Sequence, residues 1–147
     1  PLAGYWAGTD LEVRRQLGFF SNDYPAETAY HDRSVDRRRL TGLLVSRGFL
    51  GMEEASRLES AQGAASEEQV FSLVLAAYRF LGRSAARLLL VQLEDAVLQR
   101  EQVNTPGTFD EVANWRRRLR VTLEDLAASP RSVMLFRAVA EARSEKG

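Results

Sequence analysis

RLLLVQLE, residues 87 to 94, decides how the rest of the chain is read. Apolar side chains fill positions 88 to 91 and return at 93, with no regular apolar-polar alternation. A run this compact suits a strand of a parallel sheet, which is buried on both faces because helices cover each side. Periodicity alone leaves a buried helix segment open. Gly82-Arg83-Ser84 separates the run from what precedes it, and Gln92, Glu94 and Asp95 mark its exit. Chemistry in α/β barrels sits at the carboxyl ends of the strands, so the residues beyond 94 are the first place to look for a site.

Helical patterns surround the run. Thr9-Asp10-Leu11-Glu12 has capping-box spacing and predicts a short helix ending near Gly18. Phe19 to Tyr30, with Asn22, Asp23 and Pro25, reads as loop. A helix is expected from about Ser34 to Arg47, with Val35, Leu40, Leu43 and Leu44 inward and Gly48 past its end. Ser66-Glu67-Glu68-Gln69 is a second capping box, opening a helix to about Leu81 whose Val70, Phe71, Val74, Leu75, Tyr78 and Leu81 follow the 3.6 period. A closing helix over about 123–143 starts after Thr122, carries Leu126, Val133, Phe136 and Val139 on its apolar face, and has Pro130 as a break.

Composition narrows the class. The chain has 147 residues, 45% hydrophobic and 27% charged, with 20 basic and 20 acidic side chains, which is the balance of an ordinary globular segment. A formal net charge of +0 offers no broad attraction for nucleic acid or an anionic membrane, and the runs 37–39 and 116–118 of arginine read as solvated faces. Without cysteine there is no disulfide, thiolate metal site or Cys nucleophile, a usage compatible with a reducing cytoplasm. The apolar run at 71–77 is too short to span a bilayer. His31, the sole histidine, stands in polar surroundings with no second histidine to make a metal site. The chain opens at Pro1 in mid-pattern, LAGYW, from which residues upstream are expected.

After the candidate strand comes QVNTPGTFDEVANWRRRL, 102 to 119. Pro106 fixes φ at the second position of a turn and Gly107 tolerates the positive φ that a type II turn requires at the third. Asn114, Trp115 and the three arginines that follow combine an amide, a large ring and guanidinium groups. Such a set suits a polyhydroxylated ligand, since amides and guanidinium groups bond hydroxyls and rings cover the apolar faces of sugars. Glu94 and Asp95 are adjacent, so on a strand their side chains diverge; bonding loop amides is a better role for them than catalysis.

Gly4-Tyr5-Trp6, Leu93-Glu94-Asp95, Asn104 through Thr108 and Asn114 through Arg118, in that order and followed by an amphipathic helix, resemble the C-terminal portion of the 4-α-glucanotransferase family, the amylomaltases or disproportionating enzymes. The resemblance runs the length of the chain, although 22–63 agrees only in helical pattern. It implies the C-terminal part of a (β/α)8 barrel with 87–94 as the last strand, 101–119 as the substrate loop and 123–143 as the closing helix. It also implies transfer of α-1,4-glucan segments between maltooligosaccharides through a covalent glycosyl-enzyme, with no metal or organic cofactor. The family's "THD" motif and its other catalytic carboxylates would precede Pro1. This segment then supplies no catalytic residue and is expected to be inactive without the N-terminal part of the same barrel. By the same resemblance Asn104 contacts sugar and the backbone of Pro106, Gly107 and Thr108 shapes the donor subsites. Asn114 and Trp115 contact ligand or lock the loop, and Tyr5 and Trp6 pack near the upstream aspartate. A helical interaction module without catalysis is one alternative, which accounts for the amphipathic helices but not for the polar loop; a different glycosidase-like barrel fragment is the other, which accounts for the strand and the loop.

Overall fold

The computed structural model describes residues 1–145. Its elements are α1 (Leu2–Ala7), α2 (Thr9–Gln16), α3 (Ala26–Ser46), α4 (Met52–Ala61), a 3-10 turn (Gln62–Ala64), α5 (Glu67–Gly82), α6 (Leu93–Ala96), α7 (Leu123–Ala128) and α8 (Pro130–Ser144). There is no strand among the described residues.

α5 is the centre of the packing. The Ser66 hydroxyl accepts the Gln69 amide while the Gln69 side chain accepts the Ser66 amide, so the capping box forms as expected. Beyond it Val70, Phe71, Leu73, Val74, Ala76 and Tyr78 are all buried. Such a wide apolar surface needs cover on several sides. α1, α3, α4 and α8 supply it, and Trp6, Leu44, Leu58 and Leu135 are fully enclosed in the same cluster. Where α5 ends against α8, a Cβ on Gly82 would stand 2.8 Å from the Ala142 Cβ.

α3 begins at Ala26, directly after Pro25, well ahead of Ser34. Its inward face is Ala29, Arg33, Arg37, Thr41 and Leu44. The spacing is helical, but two of the five are arginines, so the face does not read as an apolar stripe. Leu43, expected inward, is 39% exposed. Thr9 does not cap α2; Gly8 holds that position and Thr9 is the first helical residue. The turn at Gly8 follows α1, a helix not expected from the sequence.

The closing helix is two. Thr122 caps α7, accepting the Asp125 amide at 3.1 Å. Ser129 then leaves the helix and Pro130 starts α8 at a position where its missing N–H is no loss. The restart resets the helical phase. Ser132, Leu135, Ala138 and Ala142 face inward, and Val133 and Phe136 are 46% and 40% exposed instead of buried.

Residues 87–94, expected as a buried strand, form no ladder here, since no partner strand exists among the described residues. Leu88 and Leu90 are 75% and 77% exposed, while Leu89 and Val91 are half-buried and Val91 packs on the core. Exposure thus alternates along the run with the period of a strand. Leu93, Glu94 and Asp95 belong to a short helix.

Candidate functional site

Asp95 ties the start of the chain to α5. It is 3% exposed, and its Oδ1 accepts the Leu2 amide at 2.6 Å while its Oδ2 accepts the Tyr78 hydroxyl at 2.8 Å. Tyr78 in turn accepts the Gln92 amide at 3.1 Å. Burial pushes the Tyr78 phenol well above its ordinary pKa, and the Asp95 charge adds to it against the Gln92 hydrogen bond. Asp95 therefore serves the fold, but through the Leu2 amide at the start of α1 and not through an amide of the loop. It also anchors α1 beside the loop. Gly4 lies so close to the Arg100 carbonyl that a side chain there would collide with it.

The far end of α1 is held by two arginines of α3. Arg33 forms a two-pronged pair with Asp10, at 2.8 and 2.6 Å, donates to the Tyr5 carbonyl at 2.6 Å, and lies 3.7 Å from the centre of the Tyr5 ring. Arg37 donates to the Trp6 carbonyl. Cationic groups at the last carbonyls of a helix bond groups that have no partner within it. Trp6 is entirely buried, so packing is its role; Tyr5 is half-buried and donates to Asp36.

The loop is built on two amides. Gln99, 1% exposed, accepts the Arg120 amide at 3.0 Å and lies 3.4 Å from the Arg118 carbonyl, to which it donates, fixing the returning arm of the loop. Asn114 fixes the tip. Its Oδ1 accepts the Thr105 amide at 2.8 Å; its Nδ2 donates to the Thr108 carbonyl at 3.1 Å and hydroxyl at 2.7 Å. Thr108 Oγ1 donates onward to the Thr105 carbonyl at 2.7 Å, and the Thr108 amide closes the turn on the same oxygen at 3.2 Å. Gly107 has φ +86°, as the type II turn requires at its third position.

Pro106 and Gly107 are exposed and line a cleft of about 590 Å³ with Gln102 and Thr105. The opposite wall is Asp10, Arg14 and Phe19, contributed by α2 and the residues after it. That wall was not legible in the sequence, because nothing local brings α2 to a turn about ninety residues away. Asn104 is half-buried at the start of the turn with no side-chain hydrogen bond to a described residue. Trp115 stands 75% exposed with φ +60°, its amide donating to the Val103 carbonyl at 2.8 Å. Arg116, Arg117 and Arg118 are exposed, and the loop's salt bridge joins Arg120 and Glu101 instead. The six loop residues singled out from the sequence thus divide: Pro106 and Gly107 line the cleft, Thr108 and Asn114 hold the turn, Asn104 starts it, and Trp115 projects into solvent.

Among the described residues no group of three or more His, Asp or Glu is placed to hold a metal ion, and no helix is long and apolar enough to cross a membrane.

A 4-alpha-glucanotransferase of Mycobacterium bovis is 37% identical over 145 residues, 95% of this chain but 18% of that protein. The Mycobacterium tuberculosis 4-alpha-glucanotransferase matches to the same extent. That of Haemophilus influenzae is 27% identical over 118 residues, covering 80% of this chain and 16% of the relative. The chain therefore spans less than a fifth of the length of these curated relatives. The family model described as 4-alpha-glucanotransferase matches residues 1–123, from α1 through the amide-held loop, and the chain belongs to that family.

Proposed function

We propose that the whole protein is a 4-α-glucanotransferase and that this chain is the C-terminal part of its (β/α)8 barrel, with the loop 101–119 as one wall of the glucan cleft. The observation that carries this reading is the family match over residues 1–123. The strand-like alternation of Leu88 to Gln92 supports 87–92 as a barrel strand whose neighbours lie elsewhere in the protein, with Leu93 and Glu94 already in α6. Burying Leu88 and Leu90 between such neighbours is worth about 1.5 to 3 kcal/mol each.

The reaction has two steps. A nucleophilic carboxylate attacks the anomeric carbon of a maltooligosaccharide as the leaving 4-oxygen takes the proton of an acid/base carboxylic acid. The 4-hydroxyl of an acceptor glucan then attacks the glycosyl ester, returning a proton to the acid/base and releasing the nucleophile. The carboxylates that do this belong to the upstream part of the barrel. The present residues bind and orient the glucan. Asn104 offers both a donor and an acceptor to sugar hydroxyls, and Pro106, Gly107 and Thr108 give the donor-side wall its shape. Asn114 keeps that wall in place, and the Trp115 ring is free to lie against a sugar face.

Incubating the protein, at the full length of its relatives, with maltotriose tests the reading. Glucose and maltopentaose should form together, seen by mass spectrometry. Hydrolysis without any longer product would count against transferase function.

A further inference from the structure

The two buried arginines of α3 differ in one respect. Arg33 has a carboxylate, Asp10; Arg37, 8% exposed, has none among the described residues. Its Nη2 meets the Trp6 carbonyl and its buried Nε has no hydrogen-bond partner among the described residues. Buried guanidinium groups are ordinarily paired, because an uncompensated charge away from water is costly. Burial and the nearby Arg33 charge lower the Arg37 pKa, the mark of a cation short of an anion.

Arg37 lines a recess of about 270 Å³, small for a ligand pocket of roughly 300 to 1,000 Å³ and too small for a glucan chain. Arg38, exposed and in no salt bridge with a described residue, lines it too, as do Ser56 and Gln62, whose side chains make no hydrogen bond to a described residue. Ser34 and Ser60 complete the donors, their hydroxyls bonded for now to carbonyls of their own helices. Glu59 is the one acidic lining residue, and it accepts from Thr41 rather than from either arginine. Gln62 has φ 47° and ψ −126°, a conformation that non-glycine residues rarely hold and that collects at ligand sites. No lining residue is shared with the cleft beside the PGT turn.

We propose that this recess binds a phosphate group, with Arg37 and Arg38 as its cationic walls and Ser56 and Gln62 as neutral donors. Many donors converging on a small volume with two positive charges against one negative suit an oxyanion with three free oxygens. Either inorganic phosphate or the phosphoryl group of a small ester such as a hexose phosphate has that chemistry.

Calorimetric titration of the full-length protein with inorganic phosphate, against potassium chloride at matched ionic strength, tests the site. Saturable binding is expected, weakened about tenfold by Arg38→Gln through loss of a charge-assisted hydrogen bond. Glu59→Gln is expected to tighten it by removing the opposing charge. Arg37 also holds the Trp6 carbonyl, so the test rests on exposed Arg38 and on Glu59→Gln, which keeps an acceptor for the Thr41 hydroxyl. A hexose phosphate that binds more tightly than the free ion identifies the ester as ligand; equal affinity identifies the ion. Heat indistinguishable from the chloride control, or the same affinity in both variants as in the unaltered protein, overturns the proposal.

Discussion

Asn114 accepts the buried Thr105 amide on Oδ1 at 2.8 Å and, through Nδ2, donates to Thr108 on the other side of the PGT turn. One side chain therefore sets the width of the turn. Asn114→Ala leaves the Thr105 N–H buried without an acceptor, which costs about 1 to 3 kcal/mol. Asn114→Asp keeps that acceptor but loses both donations, so its urea midpoint should fall between those of Asn114→Ala and the unaltered protein.

Gly107 gives a cleaner separation of loop from core. A Cβ there would stand 3.6 Å from the Phe19 ring, an ordinary contact, so the cost of a side chain comes from φ +86°. Gly107→Val should strain the turn by about 1 to 3 kcal/mol and displace it. Glucan KM should rise more than thermal stability falls, whereas Gly107→Asn, tolerant of positive φ, should be milder on both counts.

The Asp95 junction predicts a defect in stability alone. Tyr78→Phe removes the hydroxyl that donates to Asp95 and accepts from Gln92. The loss should be about 1 to 3 kcal/mol by chemical denaturation. Because Asp95 also holds the Leu2 amide, Asp95→Ala should cost more than Tyr78→Phe.

Acid should loosen α1 and α2 from α3. Burial raises the Asp10 pKa, but the Arg33 hydrogen bonds and charge outweigh it and hold the carboxyl below its ordinary value. A lowered folded pKa means that the stabilisation is fully present above the unfolded value of about 3.9 and lost as pH falls through the folded one. A urea midpoint measured against pH should drop below about pH 4, and the part due to this pair should vanish in Asp10→Asn.

Apart from the Thr9 box, which Gly8 displaces, local chemistry is legible in the sequence, and distant pairing is not. The Ser66 box, the Thr122 cap and the Pro106-Gly107 turn each depend on partners within three residues, so their residue types suffice to find them. The inward face of α3 does not show in the sequence because Arg33 and Arg37 sit where a leucine is expected, and their partners Asp10, Tyr5 and Trp6 are on other helices. Pro130 was visible, but as a break rather than a new start, which turned the expected face of α8 outward. The apolar run at 88–93 carries the composition of a strand, yet a strand is a relation between segments, and this chain holds no partner for it among the described residues. In the site, the turn could be read from Pro106 and Gly107. The Gln99 and Asn114 clamps, and the α2 wall opposite, follow only from the fold.

The most direct test of the account is the initial rate of maltotriose disproportionation by the full-length protein, with Asn104 intact and with Asn104→Ala, beside a urea melt of each. Asn104 makes no side-chain hydrogen bond to a described residue, so the melt should not move. Losing one sugar contact worth about 1 kcal/mol should slow transfer by about fivefold, more if the bond tightens in the transition state. Equal rates from two proteins that melt alike would contradict the assignment of this loop to the glucan cleft.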